Sequence, residues 1–381
     1  MKLPVISPIL RMILSIASMV LFLLTALSAY GGRISPVYTG LPGIAVMAMP
    51  FLVVFSAVVI VCWLVARRWI TAGIGIVCLL AAWSPISSAV PLKSPRNPRQ
   101  GKDSFTLMTW NFLHGWDQNV TPETQKGNES LDFILDMDAD IVCLQELRYW
   151  TPDEVPNLGE GYSLKFLKKY PYMAFQANND NRVFSKYPVK CIPSEEMARR
   201  INYVSTESIE SLANPMRHFT FYEIDIHGHK LMVANCHLFS PGLSEEEREV
   251  VTDITGVSSA KASAREFKNT IFGKIKHSFQ IHKEDLEVLT RALADYNGPI
   301  VVCGDFNDVT ESYAWNIMKK AGYKDVYAEV GFGPIVTYNK HMFWFHLDHI
   351  FYRGPLRPLN IRKHSIDTSD HYPLVATFEF D

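Results

Sequence analysis

The sequence PIVVCGDFND, residues 299–308, joins a run of apolar residues to a cluster of polar ones. Pro299–Cys303 has the length and the β-branched content of a buried strand. Asp305 and Asn307 follow directly, and such acids and amides are uncommon in a core unless they are paired. Ligands of layered α/β folds bind outside the carboxyl ends of the strands. The stretch therefore predicts a functional site at a sheet edge.

Five more elements show a similar change from apolar to polar residues. They place acids, amides and histidines where predicted strands end or begin: Asn111 after Phe105–Trp110, Glu146 after Ile141–Leu144, His237 after Leu231–Cys236, Asp348 within Phe345–Tyr352, and Asp370 and His371 before Leu374–Phe380. Any one of these residues is equally well explained as a turn former or a helix cap. Together they predict one site, because unpaired charges are costly in a core.

The residue types in this set indicate metal-assisted hydrolysis. Carboxylate and amide oxygens suit Mg²⁺ or Mn²⁺, and the six cysteines lack the C-x-x-C spacing that favours zinc. Such a metal, combined with histidines that are oriented by acids, is suited to the attack of water on phosphorus. The sequence has neither a Walker motif nor a G-x-S-x-G elbow, which argues against a nucleotide-driven motor or a serine hydrolase.

Residues 103–381 are predicted to form one α/β domain. Apolar runs of strand length alternate there with helical patterns at Ser130–Met137, Ser244–Gly256, Ala260–Lys276 and Glu284–Tyr296. His227 and His229 flank a glycine between two predicted strands, so they indicate a hairpin turn rather than a metal site. The cysteines are expected to be buried free thiols. The alternative is that an exported domain oxidises one pair, which the sequence does not identify.

The first 90 residues predict a membrane anchor. Residues 1–102 have nine basic and no acidic side chains, so this segment is +9 and residues 103–381 are −11. Three apolar runs approach the ~20 residues that span a bilayer as a helix: Ile9–Tyr30, Leu41–Ala66 and Trp69–Val90. The alternative for each run is a buried core helix. Residues 91–102, PLKSPRNPRQGK, predict a linker that is either solvated or lies against anionic headgroups.

The distribution of basic residues also bears on topology and partners. The Arg67–Arg68 turn is directly adjacent to two predicted spans, and basic residues next to spans favour the cytoplasmic side. This favours a cytoplasmic N-terminus and an extracytoplasmic C-terminal domain. A cleaved signal peptide that ends near Ala26–Ala29 is the alternative for the first run. The acidic domain argues against a stable nucleic-acid partner, because phosphate contacts depend on lysine and arginine.

Six ordered motifs of the domain resemble those of the endonuclease/exonuclease/phosphatase family. They are T-W-N, Q-E, N-C-H-L, G-D-F-N, L-D-H-I-F and S-D-H-Y-P, between Thr109 and Pro373. The resemblance covers about Phe105–Asp381. It implies a four-layer α/β sandwich of two packed mixed β-sheets flanked by helices, here preceded by three transmembrane helices. It also implies a magnesium-dependent phosphoesterase that hydrolyses phosphate esters with an activated water.

The resemblance gives each motif residue an expected role. The metal, Mg or Mn, is expected to bind Asn111, Glu146 and Asp370, with Glu146 as the main ligand. The expected catalytic residues are His237, Asp305, Asn307, Asp348 and His371. Among these, Asp305 orients or activates water, Asn307 steadies the phosphate and Asp348 pairs with His371. The two histidines act on protons or on the phosphate, and the sequence leaves open which one is the acid.

The sequence leaves the substrate open. Leu113, Asn181–Phe184 and His346 depart from the usual family pattern, and these departures bear on substrate recognition. A phosphodiester or a phosphomonoester fits, and the alternatives are a lipid phosphodiesterase of sphingomyelinase type or a nuclease. A different class of function is a non-catalytic, membrane-anchored protein that binds phosphorylated ligands. The run Met342–Phe345 is either a lipid-facing loop or strand core. Nothing in the sequence indicates an oligomeric state.

Overall fold

The computed structural model describes residues 7–113, 129–147, 162–177, 179–205, 211, 214–243, 271–340 and 344–381. The predicted helix Ser244–Gly256, most of Ala260–Lys276, and Met342 and Phe343 lie outside these residues.

Two six-stranded sheets form the centre of the domain. The first contains, in spatial order, β11 (Leu356–Lys363), β12 (Leu374–Phe380), β1 (Ser104–Asn111), β2 (Ile141–Gln145), β4 (Arg182–Ser185) and β3 (Tyr172–Phe175). The second contains β5 (Val189–Ile192), β6 (Phe219–Ile226), β7 (His229–His237), β8 (Ile300–Asp305), β10 (Asp348–Arg353) and β9 (Lys324–Asp325). Both sheets are mixed, because β1 and β2 are parallel, as are β7 and β8, while their other neighbours are antiparallel.

The two sheets pack face to face over one apolar core. Leu107 of β1 belongs to this core together with Val233 of β7 and Val301 of β8. The next side chains along β1 alternate, so Met108 and Trp110 point away from the core to the helices outside. Each central strand is therefore buried on both faces, which explains why its sequence reads as a continuous apolar run.

Helices cover the outer face of each sheet. The first sheet carries α5 (Glu129–Met137) and α6 (Tyr162–Lys169), and the second carries α7 (Ser194–Arg200), α8 (Phe272–Ala292) and α9 (Tyr313–Lys320). A short helix, α10 (Val326–Val330), packs at the edge of the core between the sheets. The result is the four-layer sandwich that the sequence predicted.

One helix boundary was predicted wrongly. The sequence predicted a break between Lys276 and Glu284, but α8 runs through this segment without interruption. The cause is a pair of polar residues on the buried face, which interrupts the apolar pattern that predicts a helix. Ser278 and His282 lie within 3.1 Å of each other on the buried face, and Nε2 of His282 is 2.7 Å from the carbonyl oxygen of Phe239.

The N-terminal region is a small helix bundle. Its two long helices, α1 (Pro8–Ala29) and α2 (Leu41–Val65), are long and apolar enough to cross a membrane. The third predicted span differs from expectation: it consists of α3 (Trp69–Ala81) and α4 (Trp83–Ala89), which are bent by 64° relative to each other. Pro85 is in the first turn of α4, and proline is tolerated there at the start of a new helix.

Residues 91–102 lie along the α/β domain. Most of their side chains are exposed, but the backbone N–H of Lys93 donates to the carbonyl of Gly331 at 3.0 Å. Arg96 pairs with Glu329 at 3.0 Å. Arg99 pairs with the buried Glu379 of β12. These ion pairs attach the end of the helix bundle to the sandwich.

Candidate active site

A cavity of about 160 Å³ lies at one edge of the two sheets. Seven of the eight residues that the sequence predicted for the site line it: Asn111, Glu146, His237, Asp305, Asn307, Asp370 and His371. Asp348, the eighth, is 1% exposed and lies behind His371. The structure therefore brings together residues from six separate motifs.

Strand register explains why these residues meet. In the parallel pair of β7 and β8, His237 is directly opposite Asp305. Asp305 is also opposite Asp348 in the antiparallel pair of β8 and β10. In the first sheet, Asn111 is opposite Gln145, so Glu146 follows at the same edge. The polar residues at these strand ends thus form rows along two facing sheet edges.

Asn111 connects the two sheets across the cavity. Its amide nitrogen donates to Oε1 of Glu146 at 3.0 Å and to Oδ2 of Asp305 at 3.1 Å. Glu146 has a φ of +57° and Asn307 a φ of +47°, a region that L-residues seldom adopt. Backbone strain of this kind is concentrated at functional sites.

Gly304 allows β8 to approach β7 immediately before Asp305. Its φ is +137°, and a Cβ atom there would overlap the carbonyl oxygen of Cys236. Only glycine fits this position. The backbone N–H of Asn307 then donates to Oδ1 of Asp305 at 2.8 Å, and the Asn307 amide donates to the carbonyl of Leu238 at 3.0 Å. The G-D-F-N motif thus fixes Asp305 on a rigid turn.

His371 and Asp348 form a buried pair at the floor of the cavity. Nδ1 of His371 is 2.8 Å from Oδ2 of Asp348, and its Nε2 is 3.5 Å from Oδ2 of Asp305. Burial lowers the pKa of His371, but the charges of Asp348 and Asp305 outweigh this effect and raise the pKa to about 10. The ring of Tyr338 packs on His371 at 4.9 Å between centroids.

His237 and Asp180 form a second, more exposed pair. Nδ1 of His237 is 3.1 Å from Oδ2 of Asp180, and its Nε2 is 3.7 Å from Glu146. Burial lowers the pKa of His237, but the neighbouring carboxylates, Asp180 first, raise it to about 9. Burial raises the pKa of Asp180, and His237 outweighs it and lowers that pKa to about 2. Asp180 follows two asparagines just before β4 and was not predicted from the sequence.

A polar network beneath the cavity was also missed. Nε2 of Gln145 donates to Oδ1 of Asn235 at 2.6 Å, and the Asn235 amide donates to the carbonyls of Leu144 and Arg182 at 3.1 Å. Arg182 is itself 2% exposed and donates to the carbonyl of Asn179 at 2.6 Å. Gln145 and Asn235 are the first residues of the Q-E and N-C-H motifs. Their hydrogen bond joins the two sheets directly below Glu146 and His237.

The site has the donor atoms that a hard divalent cation requires. Asp305, Asp348 and His371 offer ligand atoms within 4.8 Å of one another. Oδ1 of Asp348 is buried and has no hydrogen-bond partner among the described residues. The predicted ligands Asn111, Glu146 and Asp370 line the same cavity. The three residues whose ligand atoms lie closest together were thus predicted to be catalytic and not metal ligands. All six residues together supply mostly oxygen atoms, which fits Mg²⁺ or Mn²⁺.

Fold and site together define a two-sheet α/β sandwich of the phosphoesterase type. The chain belongs to the Endonuclease/Exonuclease/phosphatase family, whose model matches residues 108–371. A second model, described as a domain of unknown function, matches residues 11–89.

Relatives and solved structures resemble parts of the chain. A UPF0294 protein of Vibrio campbellii is 38% identical over 99 residues, which cover 26% of this chain and 33% of that protein. A UPF0294 protein of Vibrio parahaemolyticus is 37% identical over 97 residues, or 26% and 34% of the two chains. The matched part thus spans about a third of the length of these relatives.

Two solved structures are similar to parts of this chain. An endonuclease/exonuclease/phosphatase from Bacteroides vulgatus has a TM-score of 0.45 and 15% identity, and the match covers 74% of this chain and 100% of that one. Humanized D. rerio TDP2 has a TM-score of 0.44 and 16% identity, with 72% and 98% covered.

Proposed function

We propose that the protein is a membrane-tethered hydrolase that cleaves phosphate esters with an activated water and a divalent metal, Mg²⁺ or Mn²⁺. The observation that carries the proposal is the arrangement of two histidine–carboxylate pairs, His371–Asp348 and His237–Asp180, with Asp305 hydrogen-bonded to Asn111 in the same cavity. Two proton-handling groups beside an oriented acid are what the hydrolysis of a phosphate ester requires.

The residues would divide the proton transfers between them. Asp305 lies between Asn111 and His371, and in this proposal it would orient the attacking water and accept its proton. His371, held by Asp348, would place positive charge beside the developing negative charge on the phosphate oxygens. His237 is more exposed, with 18% of its side chain accessible, and would donate a proton to the leaving oxygen.

The metal would be held by oxygen atoms of Glu146, Asp370 and Asn111. When bound, the ion would supply positive charge that stabilises the negatively charged phosphate oxygens. Asn307 also lines the cavity and is proposed to steady the phosphate. Its side-chain amide donates to the carbonyl of Leu238 at 3.0 Å, so the side chain keeps a fixed position.

Tethering is supported by the length and apolar character of α1 and α2. The sandwich contacts the end of the bundle formed by Gly31–Arg33 and the first turns of α2, whereas Arg67 and Arg68 lie at the other end. Basic residues next to spans favour the cytoplasm, so we propose that the sandwich is extracytoplasmic. A tag after Asp381 should then be accessible to an impermeant reagent in intact cells, and a tag that reacts only after lysis would reverse this topology.

Hydrolysis by the purified full chain tests the central proposal. In detergent, with Mg²⁺, it should hydrolyse bis(4-nitrophenyl) phosphate, and EDTA should abolish the activity. His371→Asn should reduce the rate at least a hundredfold, whereas His227→Asn, in the exposed hairpin turn, should leave it unchanged. Binding of a phosphorylated ligand without any chelator-sensitive hydrolysis would support the non-catalytic alternative instead. Cleavage of plasmid DNA at a rate above that of the aryl diester would favour a nuclease.

A further inference from the structure

One wall of the catalytic cavity belongs to the membrane anchor. Met47, in the second turn of α2, lines the cavity together with residues of the sandwich. The wall around it is apolar and consists of Leu243, Ile275, Phe279, Phe345 and Leu347. The acids and histidines of the lining come from the strand ends of the sandwich and the residues next to them. The cavity is thus polar toward the sheets and apolar toward the first turns of a predicted span.

The contact between α2 and the sandwich is closely packed. Val46 is 1% exposed and forms a small core with Val309 and Leu347, which follow the G-D-F-N motif and precede Asp348. A Cβ atom at Gly43 would overlap the ring of Phe279 on α8. Gly32, in the turn before α2, is in equally close contact with the backbone of Glu311. These contacts hold the cavity at a fixed height relative to the span.

That height corresponds to the headgroup region of a bilayer. Ala48–Val65, the part of α2 beyond Met47, is about 27 Å long at 1.5 Å per residue, close to the ~30 Å of a hydrocarbon core. Its outward side chains, including Phe55 and Val58, are more than half exposed. Trp83 lies at the end of the bundle that contacts the sandwich, and Trp344 precedes Phe345 of the cavity lining. Both tryptophans are more than half exposed, as is usual for aromatic residues at a membrane interface.

The charge of the lining disfavours a polyanionic substrate. Among the described residues that line the cavity, none is lysine or arginine. Nucleic acids are bound mainly through such residues, so a strand of repeated phosphates finds no matching surface there. A molecule with one phosphate next to long apolar chains matches both halves of the lining.

We infer that the substrate is a phospholipid of the same membrane, cleaved at the phosphodiester of its headgroup while its acyl chains stay along α2. This inference rests on the proposed function. In the reaction, the water oxygen forms a bond to phosphorus and one ester P–O bond breaks. Asp305 accepts the proton of the water, and His237 protonates the departing oxygen, so that an alcohol and a phosphomonoester result.

The first experiment compares a lipid with its own headgroup. The full chain is reconstituted with Mg²⁺ in vesicles of phosphatidylethanolamine and phosphatidylglycerol, and products are followed by ³¹P NMR. The same vesicles then receive glycerophosphoethanolamine, which has the same diester without acyl chains. The lipid should be cleaved at least ten times faster than the soluble diester. Equal rates, or no lipid cleavage by a preparation that hydrolyses bis(4-nitrophenyl) phosphate, would overturn the inference alone. Failure on all three substrates would overturn the proposed function as well.

The second experiment tests the contribution of α2. Met47→Ser should lower the ratio of lipid to aryl-diester hydrolysis at least tenfold, because it places a hydroxyl in the apolar wall. Val58→Ser makes a comparable change on the lipid-facing side of the same helix, about three turns away, and should leave the ratio within twofold. An equal change in both variants would mean that the effect comes from the bilayer and not from the cavity, and the inference would fail.

Discussion

The two histidine–carboxylate pairs of the cavity differ in how the fold holds them. His371 and Asp348 are 6% and 1% exposed, and the first residue of β10 supplies the acid. His237 and Asp180 are 18% and 36% exposed, and a loop before β4 supplies the acid. The first pair depends on a buried strand, and the second on a surface segment.

Because of this difference, the carboxylate of Asp348 is held in a fixed position, whereas that of Asp180 can adjust. Asp348 is held by the Oγ1 atom of Thr337, which accepts a hydrogen bond from its backbone N–H at 3.0 Å, and by its strand partner Asp305. A buried acid has few ways to relax when its partner changes, so losing it leaves a large penalty. Asp180 is more accessible, so water can replace part of its interaction with His237. The buried pair should therefore contribute more to catalysis.

Asp348→Asn is expected to have the largest effect. The asparagine would remove the charge that orients His371 and keeps it protonated, and such a loss typically costs between 10² and 10⁴ in rate. We expect kcat on bis(4-nitrophenyl) phosphate to fall about a thousandfold. Thermal unfolding of the same preparation checks that the variant is folded. A folded variant with more than a tenth of the wild-type rate would contradict a catalytic role for the buried pair.

Asp180→Asn should have a smaller effect, between about tenfold and thirtyfold in kcat. The amide still accepts a hydrogen bond from Nδ1 of His237 but no longer supplies the charge that raises the pKa of the ring. The measurement is the same as for Asp348→Asn, with both rates determined at saturating metal. If the two variants lost equal activity, burial would not be what distinguishes the pairs.

The buried pair was predictable from the sequence and the exposed pair only in part. Asp348 and His371 occur in motifs at the start of strands, where the neighbouring apolar run marks a fixed position. Asp180 is 57 residues from His237 and lies in a run of asparagines that reads as an ordinary loop. Only the pairing of β2 with β4 brings that loop to the sheet edge. Local sequence does not contain this information.

Burial also determined which strands could be predicted from the sequence. The long central strands were predicted almost to the residue, because strands buried on both faces form continuous apolar runs. The predicted strands Phe105–Trp110 and Leu374–Phe380 match β1 and β12 to within one residue at each end. Short edge strands such as β3 and β5 were missed, since they have exposed positions and no clear alternation. The contact of Met47 with the cavity depends on how the bundle docks on the sandwich, and neither segment reveals it alone.

A third pair tests whether burial alone predicts a catalytic role. His349 and Asp325 are each 2% exposed and 3.0 Å apart, but neither lines the described cavity. Asp325 also accepts hydrogen bonds from Trp315 and from the first turn of α10. His349→Gln should lower the free energy of unfolding by about 1–3 kcal/mol, measured by chemical denaturation, because Asp325 loses its charged partner. The kcat of the folded variant should change less than threefold, and a hundredfold loss would show that this pair takes part in the reaction.

The smallest effect is expected where a carboxylate outside the cavity attaches residues 91–102 to β12. Burial raises the pKa of Glu379, but the backbone N–H and guanidinium of Arg99 and the guanidinium of Arg357 outweigh it and lower the pKa from 4.5 to about 2. A depressed pKa in the folded state stabilises the protein above the unfolded value of 4.5, and this contribution is lost as the pH falls toward 2. Thermal unfolding of Glu379→Gln should thus occur below the wild-type temperature at pH 6, and the difference should shrink between pH 4.5 and pH 2. A difference that stays constant with pH would mean that Glu379 stabilises the protein through packing and not through its charge. The ion pairs outside the cavity would then not be comparable with the charged pairs inside it.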